Sequence, residues 1–289
     1  MLRICALALA FCAASTLDWS TPARAAAPTA AEQRLGRITV RSIGEGTPVI
    51  LIPGLASPPA VYDDLVSKIG KRHRLILVQV NGFAGSPAGT TDNLLPGAVD
   101  ELAAFLAANK VEKPAIIGHS MGGLMAMMLA SKHPAAAGKL MIVDALPFYG
   151  MLFGPTATPD AIRPVVEQMR AAMVSGKAPL EVPPHMSNTD AGKTKILRWL
   201  KSSDRKVVGE ALVEDATMDI RPDLPAIKQP ITVLYAVPSP ERAAMTKALY
   251  ADAYKRAAGA KLVSVEGSEH FIMLDQPSRF ADEVAAFLR

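Results

Sequence analysis

The chain has 289 residues, of which 50% are hydrophobic and 20% are charged, with a formal net charge of +4. A chain of this length and apolar content can bury a large core, which excludes an intrinsically disordered protein and predicts about one large domain. The positive charges form no long basic runs and do not alternate with aromatic residues, so the sequence argues against a nucleic-acid partner.

The first 25 residues have the features of an export signal. Arg3 precedes an apolar stretch over residues 4–14, and residues 23–25 form an A-x-A cleavage site. We therefore expect residues 1–25 to be a signal peptide and the mature protein to be periplasmic or secreted. Two alternatives stay open, namely an uncleaved membrane anchor and lipidation of Cys12, although bulky Phe11 disfavours the latter.

Cysteine and ligand motifs are sparse in the rest of the sequence. Cys5 and Cys12 both lie inside the signal segment, so the mature chain would carry no disulfide, thiol nucleophile or cysteine metal site. No later segment is long enough to span a membrane. The sequence also contains no metal cluster, phosphate loop or nucleotide fingerprint, so we expect no cofactor and no metal.

Short apolar runs alternate with amphipathic stretches along the mature chain. The first two runs, separated by the glycine-rich turn at residues 44–46, are typical of a hairpin. The runs cover residues 37–43, 48–52, 74–80, 114–118, 139–144, 231–236 and 261–267, and stretches of helical period cover residues 58–69, 94–109, 122–132, 241–257 and 277–288. This alternation predicts an α/β fold with a mostly parallel, doubly wound sheet.

Residues 145–226 interrupt the alternation. Three helical patterns, at about residues 159–174, 191–202 and 204–219, are joined by turns rich in Pro and Gly. We therefore expect a helical cap over residues 145–226, inserted into a core formed by residues 34–144 and 227–289. Phe148, Tyr149 and Met151 at the start of the cap either pack it onto the core or face a substrate.

The pentapeptide Gly118-His119-Ser120-Met121-Gly122 lies between a predicted strand and a predicted helix. The pattern G-x-S-x-G in this context is typical of a nucleophilic serine. Its glycines allow a sharp turn that exposes the hydroxyl, and the following helix directs its free N–H groups at a developing oxyanion. The sequence therefore predicts Ser120 as a nucleophile.

A serine hydroxyl needs a base to remove its proton, and the chain has five histidines. His73, His119, His133 and His185 are better explained as solvated or structural residues. His270 follows the last predicted strand on a Gly/Ser turn and precedes the final helix. We therefore predict His270 as the base.

Four motifs resemble those of the α/β-hydrolase superfamily, and of its cap-bearing serine hydrolases in particular: LIPGLAS, NGFAGSPAG, GHSMGG and GSEHFIMLDQP. The resemblance runs from Ile38 to the C-terminus. It implies that the amides of Leu55 and Met121 form an oxyanion hole. Pro53 stands where the family normally has a histidine, which removes a side chain that braces the loop but neither donor.

The carboxylate that should orient His270 departs from the family pattern. Most members carry it after the strand that follows the cap, but this chain has Val, Pro, Ser and Pro at residues 237–240 and no carboxylate before Glu241. Asp144 ends the strand before the cap, where some members place the acid. We favour Asp144 and keep Glu241 as the alternative.

These residues together predict hydrolysis of a carboxylic ester or lactone through an acyl-enzyme intermediate. The resemblance also leaves open acyl transfer, perhydrolysis and carbon–carbon bond cleavage on the same scaffold. A non-catalytic periplasmic binding module is a further alternative, because the acid after the cap is missing and Pro53 replaces the histidine. The Met- and aromatic-rich residues of the cap favour a small-molecule substrate with an apolar acyl group.

Overall fold

The computed structural model describes residues 31–154 and 156–289, so the predicted signal peptide and Cys12 lie outside the described residues. Within these residues eight strands form one sheet in the order β1-β2-β4-β3-β5-β6-β7-β8. They are β1 (Ala31–Arg34), β2 (Ile38–Ile43), β3 (Thr47–Ile52), β4 (His73–Val80), β5 (Ala115–His119), β6 (Lys139–Val143), β7 (Ile231–Val237) and β8 (Lys261–Glu266). Strands β3 to β8 are mutually parallel, and β2 is antiparallel to β4.

Helices cover both faces of the sheet. They are α1 (Asp63–Ile69), α2 (Leu94–Ala108), α3 (Met121–Lys132), α4 (Pro159–Val174), α5 (Asp190–Ser202), α6 (Arg205–Thr217), α7 (Pro240–Ala253), α8 (Ile272–Asp275) and α9 (Pro277–Leu288). Because strand side chains alternate, Val49 and Leu51 join the core on the side of α1 and α9, whereas Ile50 and Ile52 join the core on the side of α2 and α3. The prediction of a mostly parallel, doubly wound sheet is confirmed.

The predicted hairpin between β2 and β3 is wrong, because β4 lies between them. Gly44 and Gly46 have φ values of 73° and 101°. Their Cα atoms lie against the chain entering β4, since added β-carbons would come within 2.7 Å of the His73 carbonyl and 2.8 Å of the Arg72 carbonyl. The glycines therefore let the turn pass over the start of β4, whose central residues 75–78 are all buried.

No strand was predicted over β1, which precedes the first apolar run of the expected mature chain. It pairs with β2 in antiparallel register, with Glu32 opposite Arg41 and Arg34 opposite Thr39. An edge strand of this kind is held by backbone hydrogen bonds and shows little apolar periodicity, so its residues gave no strand signal.

The helices α4, α5 and α6 lie between β6 and β7 in the chain, and the described residues of that interval contain no strand. Helix α6 fixes this insertion to the core, because the Glu214 carboxylate accepts hydrogen bonds from Leu94 N at 2.8 Å and Leu95 N at 2.7 Å. A carboxylate at the N-terminus of α2 also interacts favourably with the helix dipole. In the described part of the chain, no helix has the length and apolar content needed to cross a bilayer.

Candidate active site

Ser120 occupies the turn between β5 and α3 in a conformation that side chains rarely adopt, with φ 54° and ψ −126°. Its backbone N–H donates to the Val143 carbonyl at 2.9 Å, which ties the turn to the end of β6. The flanking glycines are required by close contacts, since a β-carbon on Gly118 would clash with the Gly122 carbonyl and one on Gly122 with the Ile52 carbonyl. The turn therefore holds the hydroxyl at the carboxyl edge of the sheet.

Asp144 follows β6 and contacts His270, which follows β8. The His270 Nδ1 atom lies 2.7 Å from Asp144 Oδ2. The other oxygen, Oδ1, accepts hydrogen bonds from Ala236 N at 2.8 Å and from the Tyr250 hydroxyl at 2.9 Å. Because both oxygens are engaged, the carboxylate has a fixed orientation toward the imidazole.

Tyr250 was missed by the sequence analysis. Burial, followed by the nearby charge of Asp144, raises the pKa of Tyr250 well above its ordinary value, so the phenol stays protonated and donates. Four residues further on, just past the end of α7, the Tyr254 hydroxyl donates to the Ala145 carbonyl at 2.7 Å. The spacing of two tyrosines by four residues was the available signal, but only the docking of α7 shows that both reach the end of β6.

Glu241, the alternative acid, lies elsewhere. It is exposed in the first turn of α7, and a hydrogen bond from Ser239 is the main cause that lowers its pKa below the ordinary value. It neither contacts His270 nor lines the cavity described below.

His119 is fully buried and positions the backbone of His270. Its Nε2 atom lies 3.0 Å from the His270 carbonyl oxygen, and the two rings are 4.6 Å apart between centroids. Burial, assisted by the charge of His270, lowers the pKa of His119 well below its ordinary value, so the ring is neutral. Since a carbonyl only accepts, Nε2 carries the proton and donates.

The loop that contains Leu55 passes directly beside Ser120. A β-carbon on Gly54 would lie 3.0 Å from the Ser120 β-carbon. Met121 is the first residue of α3, so its N–H has no partner within the helix. The buried Tyr62 hydroxyl donates to the Ile52 carbonyl at 2.9 Å and braces the loop that Pro53 leaves without a histidine, a contact that the sequence analysis missed.

A cavity of about 390 Å³ joins these groups. Its wall includes Ser120, Met121, Asp144 and His270, the apolar residues Leu146, Tyr149, Leu152, Met186 and Leu249, and the ionisable residues His185, Asp215, Arg242 and Glu269. No group of three His, Cys, Asp or Glu side chains in residues 31–154 and 156–289 is arranged to hold a metal ion.

The three residues predicted to face a substrate occupy different places. Tyr149 lines the cavity, whereas Phe148 and Met151 do not. Phe148 is fully buried, with the Arg221 guanidinium carbon 4.6 Å from its ring centroid. Its extended backbone, with φ −151°, precedes a short 3₁₀ helix over Tyr149–Phe153 that brings Tyr149 to the cavity instead.

Asp215 on α6 is a further ionisable group that the sequence analysis missed. It lines the cavity, and desolvation raises the pKa of its carboxyl to about 7, against a smaller opposing effect of His270. Its apolar neighbours on the helix, Val213 and Ala216, pack against α4. Only the docking of the insertion onto the core identifies the side of α6 that faces the cavity.

Residues 49–283 match a protein family described as the alpha/beta hydrolase family. The chain belongs to the alpha/beta hydrolase family. This result confirms the resemblance drawn from the sequence motifs.

Several curated relatives of the chain are named as hydrolases. A pimeloyl-[acyl-carrier protein] methyl ester esterase of Aeromonas hydrophila is 34% identical over 113 residues, which is 39% of this chain and 43% of that enzyme. An N-formylmaleamate deformylase of Pseudomonas putida is 26% identical over 195 residues, which is 67% of this chain and 71% of that enzyme. The chain thus aligns with less than half the length of the first of these relatives.

Solved structures agree with the fold. An esterase from Thermogutta terrifontis superposes with a TM-score of 0.72 at 21% identity, covering 90% of this chain and 98% of that one. The enol-lactonase from Burkholderia xenovorans superposes with a TM-score of 0.68 at 18% identity, covering 87% of this chain and 96% of that one. At these identities the comparison supports the fold alone.

The raised pKa of Asp215 should affect how the stability of the fold depends on pH. The unfolded chain releases the Asp215 proton near the ordinary value of 3.8, whereas the folded chain keeps it to about pH 7, so this group lowers stability as the pH rises between these values. We expect Asp215→Asn to raise Tm at pH 8, by roughly 2–4 °C for each kcal/mol added to the free energy of unfolding. This increase in Tm should become smaller toward pH 4.5.

Thermal melts at both pH values test this expectation. Glu210→Gln is the matched control, because Glu210 lies on the same helix in a surface ion pair with Arg170 and should change little. A gain for Asp215→Asn that is the same at both pH values, or a loss at pH 8, would contradict a raised pKa of this carboxyl.

Proposed function

We propose that the protein hydrolyses a carboxylic ester or lactone through an acyl-enzyme intermediate on Ser120. The observation that carries the proposal is the 2.7 Å contact between His270 Nδ1 and Asp144 Oδ2, at the edge of a cavity that Ser120 also lines. Membership of the alpha/beta hydrolase family and relatives named as esterases and a lactonase support the same chemistry.

Each proposed role follows from the position of the group. With the Nδ1 proton donated to Asp144, the Nε2 atom of His270 is the acceptor for the Ser120 proton as Oγ attacks the acyl carbon. The protonated ring then gives this proton to the leaving alcohol. The amides of Leu55 and Met121 stabilise the oxyanion, and water activated by His270 releases the acid.

The position of Asp144 supports an enzyme over a non-catalytic binding module. That alternative rested on two features, the absence of an acid after the strand that follows the cap and the presence of Pro53 in place of the family's histidine. In this chain that strand end supplies a backbone donor instead, because Ala236 N holds Asp144 Oδ1. We therefore assign the acid role to Asp144 at the end of β6, where its carboxylate contacts His270.

The cavity favours a small-molecule substrate. Its apolar wall, formed in part by Leu146, Leu152 and Met186, fits an acyl chain of modest size. Tyr149 adds an aromatic ring to the same wall. We therefore propose a small ester or lactone whose acyl group is at least partly apolar.

A pair of carboxylate variants tests the proposed mechanism. Asp144→Asn keeps the side-chain shape but removes the charge that stabilises the imidazolium and allows the wrong tautomer of His270. We expect kcat on short-chain p-nitrophenyl esters to fall by about 10²- to 10⁴-fold, with KM changed much less. Glu241→Gln, the matched control, should change kcat by less than about 2-fold, since Glu241 is exposed and away from His270.

Two further measurements make the pair decisive. Ser120→Ala gives the background rate, and thermal melts show whether Asp144→Asn acts through the loosening of a strand end. A folded Asp144→Asn variant with near wild-type kcat, or a strong loss in Glu241→Gln, would refute the assignment of Asp144.

We also propose that residues 1–25 direct export to the periplasm and are removed. The basis is the order of Arg3, an apolar stretch and the A-x-A site at residues 23–25. N-terminal sequencing of protein from the periplasmic fraction of the expressing bacterium should begin near Ala26. A product that keeps Met1 in the membrane fraction would show that the segment is an anchor.

A further inference from the structure

Asp215 differs from the other acidic residues on α6. Glu214 caps α2 through Leu94 N and Leu95 N, and Glu210 pairs with Arg170 at 3.1 Å. Within the described residues, the Asp215 carboxyl has no hydrogen bond and no ion pair. Its side chain instead forms part of the wall of the cavity that contains Ser120 and His270.

The surroundings of Asp215 offer no structural reason for a carboxyl at this position. The adjacent residues Val213, Ala216 and Thr217 are buried. Asp215 lies in the last turn of α6, where a negative charge interacts unfavourably with the helix dipole, and a desolvated carboxyl without a donor opposes folding. A group that weakens the fold and faces a reaction cavity is typical of a residue that acts on a ligand.

The other ionisable groups around the cavity are already engaged or lie at its rim. Asp144 is held by three hydrogen bonds, and Glu269 contacts His185 Nδ1 at 3.2 Å. Arg242 is exposed in the first turn of α7. Asp215 is thus the acidic group of the described wall that is available to a substrate.

The charge on Asp215 interacts with two other residues of the cavity wall, Tyr149 and His270. Burial, with a smaller contribution from Asp215, raises the pKa of the Tyr149 phenol, and the carboxyl also interacts with His270. A cationic substrate group beside His270 would oppose formation of the imidazolium that the proposed mechanism requires. A neutral donor would not, so the chemistry of the wall favours a hydroxyl over an amine.

We propose that Asp215 is a specificity-determining residue, whose carboxyl binds a hydroxyl group carried by the ester or lactone substrate. The proposal rests on the proposed hydrolase function and refines its substrate class from an apolar acyl compound to a hydroxylated one. The hydroxyl donates to the carboxyl, while the apolar wall packs against the hydrocarbon part of the substrate.

Matched pairs of esters test this proposal and locate the hydroxyl. The pairs are methyl butyrate with methyl 3-hydroxybutyrate, ethyl butyrate with 2-hydroxyethyl butyrate, and γ-butyrolactone with its α-hydroxy derivative, all followed by acid release in a pH-stat. In at least one pair we expect the wild type to prefer the hydroxylated member in kcat/KM by about 10- to 100-fold, as for a hydrogen bond to an ionisable group.

The variants separate binding of the hydroxyl from other roles. Asp215→Leu should abolish the preference mainly through KM of the hydroxylated member, whereas Asp215→Asn, which can still hydrogen-bond, should keep part of it. Glu210→Leu, on the same helix and away from the cavity, should keep the wild-type ratio.

The possible failures can be told apart. A wild-type ratio near 1 in every pair, or a ratio unchanged in Asp215→Leu, would overturn the specificity role while the hydrolase function stands. An equal loss of kcat on both members of a pair would show that Asp215 acts through His270, which also overturns the proposal. No turnover of any ester or lactone by the wild type would overturn both proposals.

Discussion

The close backbone packing around the turn between β5 and α3 is the constraint on which the candidate site depends. Gly118 and Gly122 leave no space for side chains, and Gly54 brings the loop after β3 against the same turn. The packing forces Ser120 into a positive φ of 54° and directs its hydroxyl away from the sheet. The same contacts place Leu55 beside the first turn of α3, so the packing of these two segments positions the proposed nucleophile and the proposed oxyanion donors together.

The order of the parallel strands supplies the other groups. Since β6 lies between β5 and β7, Asp144 at its end is next to the serine turn and receives the Ala236 N–H from β7. His270, which follows β8, contacts the other oxygen of this carboxylate, Oδ2. The buried His119 ring holds the His270 backbone through a hydrogen bond to its carbonyl oxygen. A carboxylate at the end of β6 can therefore contact this histidine, because the ends of β6, β7 and β8 meet at one edge of the sheet.

The sequence predicted those features that depend on local pattern. Buried strands such as β5 need continuous apolar runs, and the turn at Ser120 needs glycines at fixed spacing. Both features could therefore be predicted from the sequence. The order of β2, β4 and β3 was not, because pairing across a sheet depends on distant residues, and the polar edge strand β1 carries no apolar signal. The roles of Tyr250 and Asp215 could not be predicted, because both lie on helices whose orientation on the core depends on tertiary packing. For the same reason the sequence could not show that Tyr149 lines the cavity whereas Phe148 does not.

Covalent capture by a fluorophosphonate probe, read by intact mass, shows whether Ser120 is an activated nucleophile. The reagent modifies a serine hydroxyl whose proton an adjacent base can remove and leaves ordinary serines unmodified. We expect the wild type to gain the mass of one probe group and Ser120→Ala to gain none. A folded wild type whose mass stays unchanged, or a Ser120→Ala variant that is labelled to the same extent, would show that Ser120 is not the activated nucleophile.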